Sequence, residues 1–132
     1  MDHHTIRRIF IIDDSKYITR QLTNVLTKAG YEVVAENHVR EGLQKLFRAD
    51  FDLMIVDLEM PEMNGDVFIA NLRQQGRAPQ DVIVIAASRN SEDLAPIIKQ
   101  GIKDLLFKPF PMNDLLNRIR KLEVERDRKA SA

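Results

Sequence analysis

Apolar positions along this chain switch between two spacings. Ile6 to Ile12, Tyr31 to Ala35, Asp52 to Val56, Val82 to Ala87 and Asp104 to Phe107 are short, nearly continuous apolar runs, and they read as strands. Between them, apolar residues recur at three- and four-residue steps, the signature of helices with one buried face. Ile18, Leu22, Val25, Leu26 and Ala29 mark the first helix, with Ser15 as its N-cap and Gly30 as its stop. Val39, Leu43, Leu46 and Phe47 mark the second; Val67, Phe68 and Leu72 mark the third. The run from Tyr31 is the less apolar one and suits a sheet edge. Repeated β–α units predict an α/β fold, a parallel sheet covered by helices on both faces.

Two segments break the rhythm. Pro96 lacks an N–H and clashes one turn back, so it is expected in a first turn. That predicts Asp93 as N-cap of a fourth helix of about two turns, ending at Gly101. The last helix opens at Pro111, carries Asp114 in its first turn and turns Leu115, Leu116, Ile119 and Leu122 inward. Beyond Leu122 the residues are almost all charged, which predicts a solvated or frayed extension that does not pack. No linker or repeat interrupts the chain, so residues 1–132 are expected to form one domain with a core of about 6–122 and a charged tail at 123–132.

Composition narrows the function classes. Twenty basic and twenty acidic residues cancel, so no global field draws the chain to nucleic acid or anionic lipid. Without cysteine there is neither a disulfide framework nor thiolate chemistry. No apolar stretch reaches the ~20 residues of a membrane span, and Met1 to Thr5 lacks the apolar core of a signal peptide. A cytoplasmic protein is expected. His3 and His4 read as part of a frayed terminus rather than as metal ligands.

The chemistry lies where strands end. Asp13 and Asp14 close the first apolar run, Asp57 and Glu59 close the third, and Lys108-Pro109 closes the last. In an open parallel sheet, sites form outside the carboxyl ends of the strands. Acids gathered there repel one another and call for a hard cation, which prefers a few carboxylates together with phosphate oxygens and water. A carboxylate beside such a cation is able to attack phosphorus, and Lys108 would pair with it at rest and with a phosphoryl oxygen afterwards.

Asp13-Asp14, Asp57 followed by Met60-Pro61 and Gly65, and Lys108-Pro109-Phe110 together resemble the receiver domain of two-component response regulators, the CheY-like superfamily. The resemblance spans about residues 6 to 122. It implies a flavodoxin-like doubly wound sheet of five strands in the order 2-1-3-4-5, with a cis Lys108-Pro109 bond. It also implies Asp57 as phosphoacceptor, and Mg²⁺ held by Asp14, Asp57 and the backbone carbonyl of Glu59 with Asp13 in support. The donor would be a histidine kinase or phosphotransfer protein. The readout would be a downstream protein target or output domain, with no direct nucleic-acid or membrane contact and no turnover enzyme activity.

The chain departs from that family at two switch positions. Receivers place Thr or Ser at the end of the fourth strand. Here the usual spacing puts Ala86 there, whereas choosing by chemistry puts Ser88 there. Where an aromatic residue is expected on the fifth strand stands Leu105, with Phe107 on the same face by strand alternation. An intact acidic site with an altered switch leaves two readings open: a phosphoaccepting receiver, or a pseudo-receiver that binds partners regardless of phosphorylation. An aspartate-nucleophile phosphatase, suggested by Asp57-x-Glu59, would need a cap domain and more chain than is present.

Overall fold

A computed structural model describes residues 5–131; His3 and His4 lie outside them. Five strands form one parallel sheet in the order β2-β1-β3-β4-β5, as the resemblance implied. The strands are β1 (Arg8–Ile12), β2 (Glu32–Glu36), β3 (Leu53–Asp57), β4 (Asp81–Ala86) and β5 (Asp104–Phe107). The helices alternate with them: α1 (Lys16–Lys28), α2 (Val39–Arg48), α3 (Gly65–Gln74), α4 (Ser91–Lys99) and α5 (Met112–Ser131).

Strand alternation sorts the core into two layers. Phe10, Ile12, Met54, Val56, Val82, Val84 and Ala86 point to one face and pack with Leu46 of α2, Phe68 and Leu72 of α3 and Ile97 of α4. Ile9, Ile11, Leu53, Ile55, Ile83 and Ile85 point to the other, against Leu22 and Leu26 of α1 and Leu115 and Ile119 of α5. All three central strands are therefore apolar on both sides, which explains their lack of polar alternation. Edge strand β2 is only partly buried along its apolar positions, in keeping with its weaker apolar run.

Helix ends follow the local chemistry, with one correction. The Ile18 N–H donates to Ser15 Oγ at 3.3 Å, and Gly30 takes φ 102°, a left-handed geometry that ends α1 without a Cβ penalty. Helix α4, however, is capped by Asn90, whose Oδ1 accepts from the Glu92 N–H at 3.0 Å. Asp93 lies inside the first turn rather than capping it. Pro96 consequently sits within the helix, past its first turn. The amide side chain of Asn90 is as good a cap as a carboxylate, and taking it adds the turn that Pro96 alone argued against. The helix stays short and is followed by Gly101 at φ 77°.

The charged tail also differs from expectation, because it packs. Helix α5 runs on to Ser131, and Glu123 is buried. Its carboxylate accepts from the Tyr31 hydroxyl at 2.6 Å and from the Ile6 N–H at 3.4 Å. One turn later Arg126 donates from Nε to Asp81 Oδ2 at 2.6 Å and from Nη2 to the Asp52 carbonyl at 2.8 Å. These two residues face the amino ends of β1, β3 and β4, where strand starts leave polar groups for a helix to satisfy. Arg126→Ala would take from the Asp81 carboxylate its Arg126 donor and from the Asp52 carbonyl one of two, the other being the Asp81 N–H at 3.3 Å, an expected loss of about 1–3 kcal/mol in urea denaturation. Arg128→Ala, on an exposed position of the same helix, is expected to stay within about 0.5 kcal/mol of the parent protein.

Candidate functional site: an acidic pocket at the carboxyl edge

Each site residue is placed by the end of a strand. Asp13 follows β1 directly. Its N–H donates to the Glu36 carbonyl at 3.2 Å, its carbonyl accepts from Asn37 Nδ2 at 2.8 Å, and its Oδ1 accepts from the Ser15 N–H at 2.9 Å. Asp57 is the last residue of β3, opposite Ile85 of β4. The turn after it is closed by the Gly65 N–H, which donates to the Leu58 carbonyl at 2.8 Å. A side chain at residue 65 would put its Cβ 2.6 Å from the Asp57 carbonyl oxygen, so only glycine lets α3 start this close to the site. Lys108 follows β5, its N–H donating to the Ala86 carbonyl at 2.9 Å, and the Lys108-Pro109 bond is cis.

These placements bring the separated charges together. Lys108 Nζ lies 3.2 Å from Asp13 Oδ2 and 3.4 Å from Asp57 Oδ1. Asp13 and Asp57 are 1% and 2% exposed, whereas Asp14 is exposed. Burial, reinforced by the nearby Asp13 charge and a hydrogen bond with Asp14, pushes the Asp57 carboxyl up to about 7, against the opposing pull of Lys108 and of the Glu59 N–H. For Lys108, burial alone would lower the pKa, but the Asp13 and Asp57 carboxylates outweigh it and raise it.

The donor set suits a hard cation. Oxygens of Asp13, Asp14 and Asp57 lie within 4.8 Å of one another, and buried Asp13 Oδ2 is met by the Lys108 ammonium at 3.2 Å. A buried carboxylate oxygen facing a second carboxylate is unfavourable unless positive charge stands nearby. One lysine against two buried acids leaves an excess of negative charge, and oxygen-only ligation is the kind Mg²⁺ prefers.

The surroundings differ from the acids in how readable they were. Ala86 ends β4, fully buried. Ser88 lies beyond the strand; its Oγ donates to Asp93 Oδ2 at 2.7 Å and accepts from the Asn90 N–H at 3.0 Å, so it organises the start of α4. Leu105 and Phe107 both pack on the α2–α4 face, as alternation predicted. Three features were missed in the sequence. Asn37 braces Asp13 and also donates to Thr19 Oγ1 at 3.0 Å. Arg89 stacks its guanidinium on Phe107, 4.4 Å from the ring centroid. The Glu59 carboxylate accepts from the Ala87 N–H at 2.9 Å and the Ser88 N–H at 3.3 Å. None has a sequence signal, since each joins a loop residue to a segment far away along the chain.

Comparison with known proteins agrees with the geometry. The sequence profile of the response regulator receiver domain matches residues 9–120. Response regulator ArlR of Staphylococcus aureus is 34% identical over 113 residues, covering 86% of this chain and 51% of its own length. The chain thus spans about half the length of the curated relatives it matches. A CheY-like receiver domain protein from Methanospirillum hungatei superposes with a TM-score of 0.84 at 25% identity, covering 95% of this chain and 99% of the other. Chemotaxis response regulator CheY4 of Vibrio cholerae gives 0.79 at 30% identity over 89% and 98%. The beryllofluoride-activated NtrC4 receiver domain dimer gives 0.79 at 28% identity over 89% and 97%.

The raised Asp57 pKa has a sign for stability. Between its ordinary value of 3.8 and about 7, the folded state binds this proton more tightly than the unfolded chain. Its stabilising contribution is complete below the lower value and is lost as pH rises through the upper one. In metal-free buffer, wild-type stability should therefore fall across that window relative to Asp57→Asn. Paired denaturation curves at several pH values check this, and the variant should be the more stable protein at pH 8.

Proposed function

The chain belongs to the response regulator receiver domain family, a signalling module of two-component systems, and on that premise we propose that Asp57 accepts a phosphoryl group. The observation that carries the reading is the buried Asp57 carboxylate, 3.4 Å from Lys108 Nζ and grouped with Asp13 and Asp14 within 4.8 Å. Response regulators are partners of histidine kinases, and the donor here would be a phosphohistidine on such a kinase or on a phosphotransfer protein. An Asp57 oxygen attacks phosphorus, the new P–O bond forms, and the P–N bond to imidazole breaks with its electron pair leaving on nitrogen. Lys108 then exchanges its ion pair with Asp57 for one with a phosphoryl oxygen. Asp14, Asp57 and the Glu59 carbonyl, with Asp13 in support, would hold Mg²⁺; when bound, the ion supplies charge neutralisation for the phosphoryl oxygens. No turnover activity follows from this arrangement, because the acceptor is the protein itself.

The readout is the unusual part. We assign the position normally held by a switch hydroxyl to Ala86, since the strand ends there and the Ser88 hydroxyl is engaged with Asp93 and Asn90. Chemistry at Asp57 does not require that hydroxyl, but relay through it does. The Ala86 position therefore supports a second reading, a pseudo-receiver that binds a downstream protein or output domain independently of phosphorylation. Partner binding unchanged by Asp57→Asn would select it. Direct nucleic-acid or membrane contact is no part of either reading. Among the described residues no helix is long and apolar enough to cross a membrane.

Incubation with acetyl phosphate and Mg²⁺ is expected to add one phosphoryl mass to the wild type and none to Asp57→Asn, read by intact-protein mass spectrometry. An equal adduct on the variant would overturn the assignment of Asp57. Ala86→Thr is expected to strengthen Mg²⁺-dependent fluoroberyllate binding by about 1.5–3 kcal/mol, one hydrogen bond to a charged acceptor. Unchanged affinity would show that residue 86 does not face the phosphoryl position.

A further inference from the structure

We propose that Glu59 is an internal occupant of the phosphoryl-binding loop, a carboxylate latch that a phosphoryl group on Asp57 must displace. The inference rests on the reading of Asp57 as acceptor. The β4–α4 loop begins at Ala87, next to the buried end of β4. Asp57 pairs with Ile85 on that strand, and the Leu58 N–H donates to the Ile85 carbonyl at 2.8 Å. The amides of Ala87 and Ser88 therefore emerge at the same sheet edge as Asp57, where an anion on Asp57 would seek donors. Both already donate to the Glu59 carboxylate, at 2.9 and 3.3 Å.

Two adjacent backbone N–H groups on one carboxylate are the arrangement an anion takes on a loop, and such charge-assisted bonds are the stronger kind. Glu59 itself borders a groove of about 250 Å³, whose lining also includes Asn64, Asp66, Glu92, Asp93 and Pro96. Three of those residues are acidic and repel a carboxylate, so the loop amides are its better partner. The loop cannot simply follow Glu59 outward. Arg89 fixes it to Phe107 of β5, and Ser88 Oγ fixes it to Asp93 of α4. Release therefore has to occur at the carboxylate. Glu59 acts as a positioning residue, holding in the resting protein the donors that the absent hydroxyl at residue 86 cannot help to gather.

The test compares wild type, Glu59→Ala and Glu59→Gln in ¹⁵N-labelled protein. Amide hydrogen exchange at Ala87 and Ser88, without any phosphoryl mimic, is expected to quicken roughly tenfold in Glu59→Ala and less in Glu59→Gln, which keeps an acceptor oxygen. Fluoroberyllate with Mg²⁺ is expected to bind Glu59→Ala roughly tenfold more tightly than wild type, with Glu59→Gln between. Unchanged exchange at the two amides overturns the latch. Equal behaviour of the Ala and Gln variants also overturns it, since loss of charge alone would then account for the effect. Equal fluoroberyllate affinity in all three proteins overturns the competition but leaves Asp57 as acceptor. Binding by none of them overturns both.

Discussion

Two buried carboxylates are held against each other at the end of the sheet, and much of the site's design answers that repulsion. Asp13 and Asp57 cannot retreat, because each is set by a strand end and its backbone bonds. With oxygens within 4.8 Å of each other, two full charges repel by about 3–4 kcal/mol or more for an effective dielectric of about 20. Lys108 offsets part of this through ion pairs with both acids. Burial first, and the remaining repulsion from Asp13 second, raise the proton affinity of Asp57 and leave a site that favours added positive charge.

The fold tolerates the strain because the sheet below is apolar on both faces. Three central strands buried between two layers of helices supply rigidity, and their carboxyl ends, aligned by parallel register, supply the shared edge. Gly65 lets the backbone of α3 press close to Asp57, so that carboxylate stands on packed structure at a strand end. At the opposite edge Glu123 and Arg126 tie α5 to the strand starts. The charged end of the chain is thereby part of the folded body.

Strand and helix order was legible because burial imposes period, and period survives in sequence. The acids and Lys108 were legible because they follow apolar runs whose ends must meet in a parallel sheet. Other elements were hidden for definite reasons. Pro96 pointed to Asp93 as the cap, but Asn90 offered an equivalent acceptor earlier and the helix took it. The run from Glu123 looked unable to pack because charge alone gives no partner. Asp81, Asp52 and Tyr31 become partners only once strand starts and helix end are brought together. Glu59 carried a charge two residues past Asp57 with no sign of where its side chain would turn.

The amino-acid sequence alone determined the alternation of parallel strands with helices, and it placed the three acids and the lysine after strand ends. These follow from residue type and from spacing along a strand or helix; the strand order, and the hydroxyl and aromatic expected near the site, came from the family resemblance, with the hydroxyl position open between Ala86 and Ser88. Only tertiary structure decided that Ala86 ends β4, that Ser88 serves α4, and that the Glu59 carboxylate sits on the Ala87 and Ser88 amides. Those outcomes depend on the direction of side chains across loops, which no one-dimensional period encodes. They arise where unpaired donors and acceptors from distant segments come within hydrogen-bond reach.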